Sequence, residues 1–276
     1  MKYKVSWAAA IGRHHRQDNV PCQDHITVLR GDEVLCCALA DGAGSRSNSH
    51  LGAQCVTKTV ANQMVQCFET LWELDHAALA AEVISGCVQA LSRLEPPIYE
   101  LASTLLFCAA HRDGRFLAGH LGDGVMVLEQ GHTLSVFSPP ENGEYQNETY
   151  FITGPDAQQH LRLRRGTWME PGTLLLMSDG TADSLYHYAD GTPAPACQKL
   201  AGWLRDGEEA VISKAIRDNL EGPFARRTSD DMSLIVLNWQ DGGDGWEPAA
   251  TADRDEEEFP RREEGEEDGR EFDESL

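Results

Sequence analysis

Six consecutive apolar residues, Val34-Leu35-Cys36-Cys37-Ala38-Leu39, run into Ala40-Asp41-Gly42-Ala43-Gly44. An apolar run without polar alternation reads as a strand covered on both faces. The rest of the chain must therefore supply layers on either side of it. The carboxylate at its end is followed by glycines that let backbone carbonyls and a ligand come close. Alone, this is also the pattern of an ordinary turn. Four further acidic sites border apolar runs in the same way: Gln23-Asp24, Gly122-Asp123-Gly124, Ser178-Asp179-Gly180 and Ser229-Asp230-Asp231-Met232. They are either independent turn aspartates or carboxylates collected at one edge of the sheets. Carboxylates so collected repel one another and lose hydration, and divalent cations are the usual remedy. No paired His or Cys accompanies them, so an oxygen-only set points to Mg²⁺ or Mn²⁺ and away from zinc.

The rest of the chain reads as strands, two long helices, more strands, helices and a strand. Tyr3 to Ile11 predicts a first strand, and Gly12 to Asp24 a polar loop. His25–Arg30 and Val34–Ala40 form a hairpin. Ala53, Val56, Val60, Met64, Phe68 and Leu71 follow helical spacing. A second helix starts with Asp75 as its cap, buries Leu79, Val83, Cys87, Ala90 and Leu94, and is stopped by Glu95-Pro96-Pro97. Four strands read as a meander: Ala102–Ala110, Arg115–Gly122, Val125–Glu129 and His132–Phe137. A polar loop, Pro139–Glu148, and strands at Thr149–Thr153, Leu161–Trp168 and Thr173–Met177 follow. Helices at Cys197–Arg205 and Glu208–Leu220 precede the last strand, Met232–Trp239. Helices segregated from strands predict an α+β protein with helices layered on antiparallel sheets, and argue against an alternating βαβ fold. Trp7, Trp72, Trp168 and Trp239 are expected to fill core and interlayer space.

The formal charge is −22, which argues against nucleic acid or an anionic membrane as partner. Residues 241–276 hold 16 acidic and 4 basic residues, net −12, leaving −10 for residues 1–240. With almost nothing to bury, 241–276 is expected to be a disordered acidic tail, separate from a domain spanning 1–240. The eight cysteines form no CxxC pair and read as small core hydrophobes in a reducing cytoplasm. No signal-peptide pattern opens the chain, and no apolar run approaches a membrane span.

The ordered set Gln23-Asp24, Asp41-Gly42, Ser103-Thr104-Leu105, Gly122-Asp123-Gly124, Ser178-Asp179-Gly180 and Asp230-Asp231-Met232-Ser233 resembles the metal-dependent Ser/Thr protein phosphatases of the PPM (type 2C) family. The likeness covers roughly residues 3–239, and small stand-alone bacterial members are the best match. Gly143-Glu144-Tyr145 and Thr149-Tyr150-Phe151-Ile152-Thr153 are also similar to theirs. The resemblance implies a sandwich of two mainly antiparallel sheets flanked by helices, in α-β-β-α layers. It implies two or three Mn²⁺ or Mg²⁺ ions, with Asp41 bridging two and the Gly42 carbonyl on one. Asp179 and Asp230 would ligate the other ion, Asp123 a third and weaker one, and Asp24 would hold water on the metals. A water acidified by two cations would attack phosphorus in line, with no protein nucleophile. The implied substrates are phosphoserine and phosphothreonine proteins, in a cytoplasmic signalling setting with a cognate Ser/Thr kinase system.

This chain departs from the family at three positions. The arginine that usually grips phosphate five residues before the Asp24 position is Asn19, so Arg16, Arg13 or His14 of the same loop would have to supply the charge. A histidine proposed as general acid in eukaryotic members falls at Ala43. Asp231 stands where Asn is common. His120, between apolar residues on a strand, is expected to be a hydrogen-bonded core histidine and not an acid. A catalytically weak phosphoprotein-binding module and a small-molecule phosphoesterase are the competing readings.

Overall fold

The computed structural model describes residues 1–142 and 149–242. The Gly143-Glu144-Tyr145 stretch, the end of the polar loop and the acidic tail beyond 242 lie outside the described residues. In chain order the elements are β1 (Lys2–Ala10), α1 (Arg13–Asp18), β2 (Asp24–Arg30), β3 (Val34–Asp41), α2 (Ser49–Glu73), α3 (His76–Leu91), β4 (Leu105–His111) and β5 (Arg115–Leu121). There follow β6 (Val125–Gln130), β7 (Thr133–Ser138), α4 (Ala157–His160), β8 (Arg162–Thr167), β9 (Gly172–Met177), α5 (Asp179–Leu185), β10 (Tyr186–His187), β11 (Thr192–Pro193), α6 (Ala196–Asp206), α7 (Glu209–Glu221) and β12 (Met232–Gln240).

The strands form two five-stranded antiparallel sheets, the first in the order β2-β3-β4-β5-β8 and the second in the order β1-β12-β9-β6-β7. Period-two alternation explains the apolar run of β3. Val34, Cys36 and Ala38 pack under α2 and α3 with Met64, Phe68, Val83 and Leu91. Leu35, Cys37 and Leu39 point the other way, into the space between the sheets, with Leu106, Trp168, Leu176 and Trp239. There the Trp168 ring stacks on Phe116 at 3.8 Å and on Trp239 at 4.0 Å. The outer face of the second sheet is covered by α6 and α7 through Leu200, Leu204, Ile212 and Ile216. The layers are α-β-β-α, as expected, and the helical spacing of α2 buries all six of the residues predicted.

Six local expectations are corrected. β4 to β7 are not one meander: β4 and β5 belong to one sheet, β6 and β7 to the other, and the chain crosses at Gly122-Asp123-Gly124. Gly122 takes φ +113° there, a conformation costly for any side-chain-bearing residue. Thr149–Thr153 is not a strand; Thr149 makes an isolated bridge with Asn142, and Phe151–Gly154 is a turn. The loop before Asp24 contains the short helix α1. Helix α3, capped by Asp75 accepting from Ala78 N at 2.8 Å, stops at Leu91 and buries that residue in place of Ala90. Trp7 is 39% exposed; it lies on the edge strand β1, where the opposite sheet no longer covers it. That edge is closed by α7, whose Glu209 and Ser213 side chains accept from Val5 N and Trp7 N. Six cysteines are buried as expected, but Cys67 is exposed and Cys22 half-buried.

Candidate metal centre

Strand pairing gathers the carboxylates. In the first sheet Asp24 of β2 lies opposite Asp41 of β3. Thr104 of the neighbouring segment holds Asp41 from both sides: its Oγ1 accepts from Asp41 N at 2.9 Å, and Thr104 N donates to Asp41 O at 2.8 Å. In the second sheet β9 and β12 are antiparallel, and Ser178 N donates to Ser233 O at 3.2 Å. This puts Asp179 beside Asp230-Asp231. Asp123 sits on the crossing between the sheets. Carboxylate oxygens of Asp41, Asp123 and Asp179 lie within 4.8 Å of one another. Asp24 and Asp230 act on the charge of Asp41 from close by.

Gly42 is buried beside this group, and a Cβ there would meet Ser49 backbone and side chain at 2.8 Å. Its N–H donates to Gln23 O at 3.1 Å. Only glycine lets helix α2 begin this close to the carboxylates.

Electrostatically the site is a crowd of acids: Asp24 is buried, Asp41, Asp123 and Asp179 are half-buried, and Asp230 is exposed. Burial, then the Asp24, Asp179, Asp230 and Asp123 charges, push Asp41 well above the usual carboxylate range. Burial likewise pushes Asp24 up to about 7, with the Asp231 charge adding to it. Neither Asp24 oxygen makes a hydrogen bond of ordinary geometry; the Ser233 and Ser178 hydroxyls nearby offset part of the lost hydration. Asp179 is raised to about 7 by burial and by Asp123 and Asp230. The donor set is oxygen-only, crowded and short of positive charge, which fits hard divalent cations. A stability prediction follows for the metal-free protein. These folded-state carboxylates keep protons that the unfolded chain releases near pH 4, so stability falls as pH rises from about 4 through about 7. In a chelator, the melting temperature drops between pH 5 and pH 8. With millimolar Mg²⁺ the drop shrinks, because the cations bind only the folded state. Equal slopes in both buffers would exclude cation binding here.

The structure also shows what the residues alone did not. Asp231, 2% exposed, accepts from Gly12 N at 2.6 Å, Gln23 N at 2.5 Å and the His15 ring at 2.9 Å. It organises the loop that carries α1, so its charge is used within the fold. Sequence offered no signal for this beyond the doubled aspartate. Arg13, His14 and Arg16 are exposed on α1, beside Ser229 to Asp231; His14 N donates to Ser229 O at 3.2 Å and Arg16 Nη2 to Ile11 O at 3.4 Å. Asn19 ends α1 in the left-handed conformation, φ 55°, which suits asparagine and not arginine. Thr149 Oγ1 donates to Asp123 Oδ2. The Tyr188 phenol faces Asp179, Asp183 and Asp123. His120 is 1% exposed, with Nδ1 at 2.8 Å from Ser138 Oγ and 3.1 Å from Arg162 Nη2. Burial and the Arg162 charge keep it neutral, as a core histidine.

Residues 11–221 match the family model described as Protein phosphatase 2C, so the chain belongs to that family and is a metal-dependent protein serine/threonine phosphatase. Among its relatives is Serine/threonine-protein phosphatase 3 of Escherichia coli K12, 27% identical over 255 residues that cover 87% of this chain and 99% of that one. Similar solved structures include the serine/threonine phosphatase of S. agalactiae, at TM-score 0.57 and 15% identity over 87% of this chain and all of that one. PppA of Pseudomonas aeruginosa matches at TM-score 0.57 and 16% identity, covering 87% and 99%. RsbX in complex with magnesium matches at 0.55 and 15%, covering 86% and 94%. At such identities the structures speak to the fold.

Proposed function

We propose that this phosphatase acts on phosphoserine and phosphothreonine proteins through two divalent cations held by Asp41, Asp179, Asp230 and the Gly42 carbonyl, with Asp123 serving a third, weaker position. The observation that carries this reading is the approach of Asp41, Asp123 and Asp179 oxygens to within 4.8 Å of one another, with Asp24 and Asp230 adding their charges at Asp41. When bound, the ions acidify a water and neutralise charge on the phosphoryl oxygens. Mg²⁺ and Mn²⁺ both suit the donors, and the solved RsbX complex with magnesium favours Mg²⁺ as the first to try. Asp24, buried and short of partners, orients water at the site. Arg16, Arg13 and His14 on α1 present positive or hydrogen-bonding groups to an arriving phosphate. His120, neutral and enclosed, takes no part in proton transfer.

A substrate of this kind is made by a protein kinase, and we assign that partnership by reaction class. Free cysteines, and the absence among the described residues of any helix long and apolar enough to cross a membrane, support a cytoplasmic setting. Assays on a phosphothreonine peptide and on a nucleotide, each with chelator, Mg²⁺ or Mn²⁺, test the reading. Metal-dependent turnover of the peptide alone supports it, and preference for the nucleotide would overturn it.

We assign residues 1–240 to the catalytic domain and 241–276 to an acidic tail. Gln240 ends β12 at the opposite end from Met232 and the carboxylates, so the tail leaves far from the site. Its carboxylates can still compete with phosphate, because tethering gives effective concentrations of about millimolar. Truncation after Gln240 is expected to lower KM for phosphopeptide at low salt, with the melting temperature preserved. Unchanged KM would leave the tail without a catalytic role.

A further inference from the structure

Between Asp41 and helix α2 the chain forms a short rim loop whose backbone is fixed on several sides. Ala43 N donates to Ala102 O at 2.9 Å and Arg46 N to Ala43 O at 2.9 Å. The Arg46 carbonyl accepts from Gln23 Nε2 at 3.2 Å and Ser49 Oγ at 3.0 Å, on the side of the metal-site residues. Its side chain goes elsewhere. The guanidinium lies 5.7 Å from the centre of the Tyr99 ring, on the 3₁₀ turn Ile98–Leu101. That turn is tied to the same loop, because Glu100 Oε2 accepts from Ser47 N at 3.1 Å and Ser47 Oγ at 2.9 Å.

The loop and turn therefore present one exposed surface of Arg46, Tyr99 and Ile98. Among the described residues no carboxylate lies within ion-pair distance of the Arg46 guanidinium; Glu100, next to Tyr99 in the chain, accepts from Ser47 instead. An arginine held on an aromatic face keeps its planar fork free and loses little side-chain freedom on binding an anion. The Arg46 carbonyl meets Gln23 while its guanidinium turns to Tyr99, so the side chain stands at the rim of the centre.

We infer that Arg46, braced on Tyr99, receives an acidic side chain next to the phosphorylated residue of the substrate, and so determines which phosphosites are preferred. This rests on the phosphoprotein reading above. A phosphopeptide anchored at the metal centre must cross the rim, where a carboxylate meets a preorganised bidentate donor.

Two phosphothreonine peptides that differ only in Glu or Gln around the phosphorylated residue test the inference, with p-nitrophenyl phosphate as a third substrate. Wild type is expected to favour the Glu peptide by about threefold or more in kcat/KM, through KM. Arg46→Ala abolishes that preference and Arg46→Glu reverses it, and added salt weakens the wild-type preference. No preference in wild type, or an Arg46→Ala loss equal on all three substrates, would overturn it. Peptide affinities by fluorescence anisotropy in chelator, on wild type and Arg46→Ala with matched melting curves, read the same contact without turnover. If the wild type hydrolyses neither peptide yet anisotropy shows the Arg46-dependent preference, the phosphatase reading fails and the docking inference stands.

Discussion

Replacing Asp41 by Asn leaves a folded protein with no more than about a tenth of the wild-type rate, a loss of at least ~1.4 kcal/mol in transition-state stabilisation. Asn is nearly isosteric, and Asp41 N and O keep their bonds to Thr104. The carboxylate feels the charges of Asp24, Asp123, Asp179 and Asp230 at once. An amide there cannot donate negative charge to two cations. In the metal-free protein the same change removes one of five repelling charges, so the apo melting temperature is expected to stay level or rise. Calorimetry with Mg²⁺ separates the two effects: heats of binding should shrink while the fold persists. Wild-type turnover and unaltered binding would dismiss Asp41 as a metal ligand.

Gly52→Ala is expected to be the most damaging small change away from the carboxylates. Helix propensity favours Ala over Gly by about 1 kcal/mol. At this position, however, a Cβ would lie 2.0 Å from Leu101 O and 2.6 Å from Leu101 C. Backbone cannot swing aside as a long side chain can, so α2 and the 98–103 segment must separate. Overpacking of this kind costs about 1–3 kcal/mol and at times more, so the clash outweighs the propensity gain. The same segment supplies Ala102 and Ser103, which pair with Ala43 and Gly42. Strain at Gly52 thus reaches the metal loop. Thermal melts should fall by roughly 2–4 °C per kcal/mol for a domain of this size, with weaker Mg²⁺ binding alongside. A variant as stable as wild type would mean that the helix shifts without cost.

Much of this was legible in the chain because it depends on local periodicity. The doubly buried β3, the buried stripe of α2 and the Asp75 cap follow from side-chain spacing that only one kind of element satisfies. The acidic motifs could be found because each ends an apolar run, and their order matched a known family. Local pattern carries no information about which sheet a strand joins, since neighbours in one sheet or in two alternate alike. The crossing at Gly122-Asp123-Gly124 therefore emerged only in three dimensions, although it is what carries Asp123 between the sheets to Asp41 and Asp179. The loop before Asp24 is a similar case. Residues 12, 15 and 23 are bound by a side chain more than 200 positions away, and no spacing within the loop foretells such a partner. Arg46 reads as one more polar loop residue until the 98–101 turn lays Tyr99 beneath it. Local spacing is enough to define the elements and the kind of chemistry their ends can support. Which ends meet depends on the packing of distant segments, since only that brings the carboxylates close enough to repel one another.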